Sequence, residues 1–552
     1  MSTPFISRLQ GAIRAANSGS FHRQAWSGPS DSLAYDENGI RERLLDLSRP
    51  VYVVRVGGAL AATNEGTPVF AEADEDLPEL VSFAPPLPIT RLGDPGFCEQ
   101  YGVKYAYYTG SMANGIASEQ LVVALGKAGI LGSYGAAGVV PSRLEGVIQR
   151  VQQALPNGPY AFNLIHSPNE EAMERGAVEL YLKYGVTTVE TSAFLDLTPH
   201  VVHYRVAGLS VGPSGEIVAR NRIIAKLSRK EVATKFMSPA PESILTQLVQ
   251  EGRITPQQAE LARQVPLAED VTVEADSGGH TDNRPLVGLL PTMLALRDEI
   301  QDRYHYKDPI RVGAAGGIST PASVLGAFMM GAAYVVTGSI NQACLEAGTS
   351  EHTRSLLAKA GMADVIMAPS ADMFEMGVKV QVLKAGTLFP MRAQKLYDLY
   401  THYDSLDDIP SEEREKLERQ IFRRDLEEIW SDTVKFFAER DPEQILRARE
   451  NPKRKMALVF RWYLGLSSRW SNTGEKGREM DYQIWCGPSM GTFNDWTRGT
   501  YLENPANRHV VDVALQLLTG AAYQYRVQNL KIQGTQLSPK LESYRPLTPL
   551  AQ

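Results

Sequence analysis

The chain reads as an α/β protein built on a TIM (β/α)8 barrel, with a small β-containing N-terminal subdomain before it and a mainly helical C-terminal region after it. Three observations predict this. Eight short apolar segments, at residues 104–108, 129–134, 160–165, 188–191, 223–226, 271–275, 311–315 and 334–338, alternate with helical stretches. Eight such repeats over about 250 residues suit a closed barrel better than an open doubly wound sheet. Small residues also gather immediately after those segments, where barrels of this kind keep their ligand sites.

The elements follow in chain order. Residues 51–90 alternate apolar and polar positions around Gly57-Gly58 and Gly66, the pattern of strands joined by tight turns. Residues 1–100 are therefore assigned to the N-terminal subdomain and 101–350 to the barrel. One crossover is longer than it needs to be: residues 241–265 read as an inserted helical hairpin, broken at Gly252 and restarted by Thr255-Pro256. Beyond residue 350 strand signals fade and charged amphipathic stretches such as 411–422 take over, so residues 351–552 are expected to form a helical substrate or lid region.

The 552 residues are 43% hydrophobic and 22% charged, which allows a substantial core. A formal net charge of −7 supplies no overall field that would draw the chain to nucleic acid or an anionic membrane. The first twenty residues lack the apolar core of an export signal, and no apolar run reaches transmembrane length, so a cytoplasmic location is expected. Cys98, Cys344 and Cys486 lie far apart without a CxxC pair, which supports neither a disulfide framework nor a metal site.

The chemistry is expected at the strand ends. The first segment runs into Gly110-Ser111-Met112, the sixth into Ser277-Gly278-Gly279-His280, the seventh into Gly316-Gly317 and the eighth into Gly338-Ser339. Glycine lets backbone approach a flat or anionic ligand closely. The loops after strands seven and eight are the usual phosphate site of this fold, so Gly316, Gly317, Gly338 and Ser339 point to a mononucleotide-like phosphate. No dinucleotide Gly-x-Gly-x-x-Gly fingerprint stands at the first turn. His280 is the leading catalytic candidate, because its place after a double glycine projects it into the barrel mouth and its near-neutral pKa suits proton transfer. His200 and His203, around an apolar stretch read as extended, look structural. Asn163 offers a donor and an acceptor for the edge of a flavin ring. Lys226 ends the fifth strand, either near a reduced flavin, near a phosphate, or as an ordinary surface-reaching lysine.

Several strings are more specific than the glycines. Gly110-Ser-Met-Ala, Glu274-Ala-Asp-Ser-Gly-Gly-His280 and Ala314-Ala-Gly-Gly-Ile-Ser resemble the nitronate monooxygenase superfamily, which includes FMN-dependent enoyl-acyl-carrier-protein reductases. The longer stretches 276–286, 373–392 and 482–496 resemble its PfaD-type subgroup, the trans-acting enoyl reductases of polyunsaturated fatty-acid and polyketide synthases. The resemblance implies FMN held by Gly110, Met112, Asn163, Gly279, Gly316, Gly317, Gly338 and Ser339, with Ser111, Lys226, Ser277 and Gly278 completing the cofactor shell and His280 beside the flavin. It implies NADPH as hydride donor and an enoyl thioester on an acyl carrier protein as substrate. His280 then either supplies a proton or polarises the thioester carbonyl. A homodimer is left open.

Trp462, Trp470, Trp485 and Trp496 fall in one region with interleaved arginines, read as an aromatic layer over the barrel that can also wall an acyl chain. Lys453-Arg454-Lys455 is the most basic run, a candidate docking point for an acidic carrier protein or simply a solvated face. Two other functions compete: a nitronate-oxidising flavin oxidase, which the C-terminal extension disfavours, and a non-catalytic flavin-binding subunit, which His280 disfavours.

Overall fold

The computed structural model describes residues 23–72, 76–168 and 170–551. The first twenty residues, on which the expectation about an export signal rests, fall outside them. Two compact units form: Met1–Leu92 with Gln516–Arg545, and Gly93–Leu515 with Pro546–Gln552.

In the first unit five antiparallel strands lie in the order Ala59–Thr63, Val51–Val56, Glu79–Ala84, Arg23–Ser27, Thr67–Ala71. Gly57 and Gly58 join the first pair at φ +55° and +87°, the left-handed geometry that a two-residue hairpin turn requires. Trp26, Tyr52, Val54, Ala61 and Leu80 form the core of this sheet. Arg526 is fully buried and donates to the carbonyls of Leu44, Asp46 and Arg49, satisfying acceptors at the end of helix Glu37–Leu45.

The second unit holds the barrel. Its strands are Tyr107–Thr109 (β1), Leu131–Tyr134 (β2), Ala161–Ile165 (β3), Thr188–Ser192 (β4), Arg222–Leu227 (β5), Asp270–Glu274 (β6), Arg311–Ala315 (β7) and Val335–Thr337 (β8). All are parallel, each pairs with its neighbours in sequence, and β8 closes on β1. Helices between the strands follow ordinary rules. Pro141–Ala154 buries Leu144, Val147, Ile148 and Val151, one face at spacings of three and four. Each such side chain contributes about 1.5–3 kcal/mol by leaving water.

Two polar clusters inside the barrel show the pairing that low-dielectric burial favours. Arg311 makes two 2.8 Å bonds to the fully buried Asp270, which also accepts from the Tyr101 hydroxyl at 2.6 Å. Thr272 links the hydroxyls of Tyr108 and Tyr334 at 3.1 and 3.0 Å.

The expected insertion forms as helices Glu242–Gln250 and Pro256–Ala262, the second opened by a Thr255 capping box. Two local readings need correction. The stretch carrying His200 and His203 is the helix Pro199–Ala207, because Thr198 caps it and Pro199 opens it. The region after residue 350 is mainly helical but contains an antiparallel pair, Val365–Pro369 with Lys379–Leu383. Helices Leu426–Arg440 (α1), Glu443–Glu450 (α2) and Pro452–Thr473 (α3) follow, packed through Phe437, Ile445, Ala448 and Leu458.

Candidate functional site

A cavity of about 1050 Å³ opens at the C-terminal ends of the barrel strands. Every residue nominated from the sequence lines it: Gly110, Ser111, Met112, Asn163, Lys226, Ser277, Gly278, Gly279, His280, Gly316, Gly317, Gly338 and Ser339. Residues 370–373, parts of α1 and α3, and Trp485 complete the walls.

The glycines do different jobs. Gly316, at φ +80°, is required by packing, since a Cβ there would stand 2.6 Å from the carbonyl of Ala275. A Cβ on Gly317 or Gly338 would meet no protein atom within 4 Å. The space they leave belongs to the cavity, and their N–H groups have no partner among the described residues. Two buried donors on the cavity wall, Gln342 Nε2 and Trp485 Nε1, also lack a hydrogen-bond partner. Bare backbone with free donors beside β7 and β8 fits a mononucleotide phosphate. A ligand with several acceptor atoms fits the remaining donors, and the volume leaves room for a second molecule beside it.

Beneath this wall lies a charge triad. Lys226 Nζ stands 3.5 Å from Glu190 Oε1 and 3.4 Å from Glu274 Oε1. Burial pulls the ammonium pKa down, but the two carboxylates outweigh it and hold Lys226 charged, with a pKa above the usual lysine range. Its charge is thus engaged by protein carboxylates. Glu190 is fully buried and its Oε2 accepts from the Ser111 N–H at 2.9 Å, fixing the loop after β1. Asn163 gives its amide N–H groups to the Glu190 carbonyl and the Ser192 hydroxyl, at 3.0 and 2.9 Å, leaving the amide oxygen as the end free for a ligand.

His280 Nε2 is 2.9 Å from Asp372 Oδ2. Burial lowers the imidazole pKa, but the hydrogen bond and charge of Asp372 overcome it, so the net shift is upward. Asp372 moves the opposite way: burial raises its carboxyl, and His280 brings it net below the usual range.

The His280 loop is clamped. Gly279 and Gln381 exchange backbone bonds of 3.0 and 2.7 Å, and the Gln381 amide donates at 2.7 Å to both Asp276 and the Ser277 carbonyl. The segment around Cys486 crosses the same loop so closely that a Cβ on Gly278 would stand 2.9 Å from the Cys486 nitrogen. A Cβ on Gly487 would stand 2.8 Å from the Gly278 nitrogen. Cys486 is buried there, its thiol pKa pushed up to about 12 by burial. The Gly487 N–H donates to Ser339 at 3.0 Å, tying the segment to the β8 loop.

Of the four clustered tryptophans, Trp462 and Trp485 line the cavity. Trp470 packs under Arg478 at 4.4 Å, and Trp496 against Phe493. The basic run is engaged internally: Lys453 pairs with Asp404 at 2.9 Å, Lys455 with Glu427 at 3.5 Å, and Arg454 donates to Gln444. His200 pairs with Glu171 at 2.9 Å outside the cavity. Burial lowers the pKa of His203. Sequence reasoning missed Glu190, Glu274, Gln342, Asp372 and Gln381 as site residues. Glu190 and Glu274 carried a signal, since each is a charged residue on a barrel strand, Glu190 in the middle of β4 and Glu274 at the end of β6; Asp372 and Gln381 reach the site only through tertiary contacts.

No helix of the described residues is long and apolar enough to cross a membrane. Residues 99–394 match the nitronate monooxygenase family, 26–86 the fatty acid synthase subunit PfaD N-terminal domain, and 403–482 the inserted helical domain of [acyl-carrier-protein] S-malonyltransferase. The chain is 47% identical over 92% of its length to a polyunsaturated fatty acid synthase subunit of Thraustochytrium, and 45% identical over 78% to the polyketide biosynthesis protein PksE of Bacillus subtilis. It spans 34% and 56% of those proteins' own lengths. Among solved structures, it is similar to the enoyl reductase domain of MlnA from the macrolactin biosynthesis cluster of Bacillus amyloliquefaciens. That match has 39% identity and a TM-score of 0.76, covering 81% of this chain and all of that domain.

Proposed function

We propose, from the premise that this chain belongs to the nitronate monooxygenase family and with it among flavoenzymes, that it is an enoyl reductase acting in trans on carrier-bound thioesters of a fatty-acid or polyketide synthase. The observation that carries this reading is the likeness to an enoyl reductase domain along that domain's entire length. The matches to synthase proteins support the setting, and an acyl carrier protein of such a synthase would present the substrate. FMN is the flavin we assign to this site: Gly316, Gly317, Gly338 and Ser339 would hold its phosphate, and Asn163 would meet its ring edge.

FMN, when bound, would take a hydride from NAD(P)H and return it to the β-carbon of an α,β-unsaturated thioester. The chain's own residues do the rest. Asp372 engages Nε2 of His280 and favours the imidazolium, which leaves Nδ1 to face a substrate. His280 in that form either donates the proton that the α-carbon needs or donates a hydrogen bond to the thioester oxygen as negative charge accumulates there. The Gln381 clamp and the close approach of Gly278 to Cys486 hold the loop that carries it. Lys226, bracketed by Glu190 and Glu274, serves to position the Ser111 loop rather than to neutralise a ligand.

The test is anaerobic mixing of the yellow protein with NADPH and then with an enoyl thioester. Bleaching by NADPH followed by recovery of colour on adding the thioester is expected. Bleaching by a nitronate and not by NADPH would replace the reductase with an oxidase, and no spectral change with either would leave a non-catalytic flavin protein.

A further inference from the structure

Helix α3 turns one face to the cavity through Leu458, Arg461, Trp462, Gly465, Arg469 and Asn472, spaced at three and four residues. It crosses the barrel mouth. At one end Arg461 pairs at 3.3 Å with Glu375, three residues beyond the partner of His280. At the other, Ser468 accepts from Asn114 at 3.0 Å, and Asn114 N–H donates at 2.7 Å to Ala137 in the loop after β2. Strands β6 and β2 stand on opposite sides of the closed sheet.

Halfway along, the helix is bare. A Cβ on Gly465 would meet no atom within 4 Å, so packing does not require glycine there, and the space it leaves is cavity. Beyond this gap the balance of charge changes. Arg461 is paired with Glu375, Arg440 with Glu170 at 2.5 Å and Arg150 with Glu119 at 2.9 Å. Arg143, six residues past Ala137, and Arg469, next to Ser468, also line the cavity and are exposed. Neither makes an ion pair or a side-chain hydrogen bond among the described residues. Both belong to the end of the cavity where α3 meets the loops after β1 and β2.

We propose that Arg143 and Arg469 form a second ligand subsite, separate from the glycine-lined one, that receives a phosphate ester at the cavity mouth. Guanidinium groups without carboxylate partners match a phosphate in charge and in donor geometry. Two substrates of the proposed reaction carry such a group: the phosphopantetheine arm of a carrier-bound thioester and the nicotinamide dinucleotide. The bare stretch at Gly465 favours the arm, because it gives an extended, flexible chain a path along α3 toward His280. This subsite rests on the reductase reading.

The experiment compares the parent protein with Arg143→Gln/Arg469→Gln on enoyl thioesters of 4′-phosphopantetheine and of phosphate-free N-acetylcysteamine, and with NADPH. The expected result is a KM raised about tenfold or more for the phosphate-bearing thioester only, the loss that goes with removing charged hydrogen bonds. The lysine pair, Arg143→Lys/Arg469→Lys, should recover part of it. A raised KM for NADPH alone would keep the subsite and assign its phosphate to the nucleotide. Equal effects on both thioesters, or none on any substrate, would overturn it. Calorimetric titration with free 4′-phosphopantetheine separates the two readings. If the parent reduces no thioester, the reductase reading fails, while binding lost only in the glutamine variant still sustains the subsite and unchanged binding refutes it.

Discussion

Replacing Gly278 by alanine should loosen the His280 loop, and the size of the effect follows from what the new methyl meets. An ideal Cβ there lies 2.9 Å from the Cys486 nitrogen and 3.0 Å from its Cα and carbonyl carbon, all backbone atoms that cannot rotate aside. Either the loop after β6 or the segment around Cys486 must move. Overpacking of this kind costs about 1–3 kcal/mol. The same displacement strains the backbone bonds between Gly279 and Gln381 and the 2.7 Å bond from Gln381 to the Ser277 carbonyl, each contributing about 1 kcal/mol. The measurements are the denaturant midpoint, flavin retention on dilution and turnover. Gly278→Ala should lower all three, and Gly487→Ala, whose Cβ would lie 2.8 Å from the Gly278 nitrogen, should do the same. Gly465→Ala is the control: its Cβ meets nothing and it lies inside a helix, so it should stabilise by up to about 1 kcal/mol. A Gly278→Ala protein as stable and as flavin-retentive as the parent would refute the argument, as would a destabilised Gly465→Ala.

Asp372→Asn removes the group that raises the His280 pKa and leaves the burial that lowers it. His280, whose imidazole pKa the parent holds above its ordinary range, should therefore lose its proton at lower pH, moving the corresponding limb of kcat/KM down. An unmoved limb removes His280 from that ionisation. The upward shift in the parent also means that stability linked to His280 is present below pH about 6.5 and lost as pH rises through the higher folded-state pKa. His280→Ala should depress thioester turnover while leaving flavin bleaching by NADPH largely intact; near-normal turnover would exclude it from the reaction. Lys226→Met strands Glu190 and Glu274 without their cation, and should destabilise the second unit by about 3–5 kcal/mol, read as a lower denaturant midpoint. An unchanged midpoint would show that the triad carries no structural load.

Much of the site was legible in the strand ends. Gly316-Gly317, Gly338-Ser339 and Ser277-Gly278-Gly279-His280 follow directly on apolar segments, and a barrel sends every such position to one mouth. Lys226 was visible, but its role was not, since nothing in the residues around it reveals carboxylates from β4 and β6 on either side. The ion pairs of the basic run at Lys453 were not legible because its partners, Asp404 and Glu427, are distant in sequence. Arg143 attracts no notice in the chain, and Arg469 stands there only as one of several arginines interleaved with the tryptophans. What distinguishes them is that neither has a carboxylate partner among the described residues.

By itself, the sequence determined the barrel, the inserted hairpin, the helical character of the last third and the identity of the loops that make the mouth. These depend on local periodicity and on short glycine-bearing turns, which are written in consecutive residues. Only the tertiary structure decided that Asp372 engages His280, that Gln381 and Cys486 pin the His280 loop, that α3 spans the mouth with Gly465 over the cavity, and that Gln516–Arg545 joins the N-terminal unit. Each is a meeting of segments about a hundred or more residues apart, set by packing and pairing that no local pattern encodes.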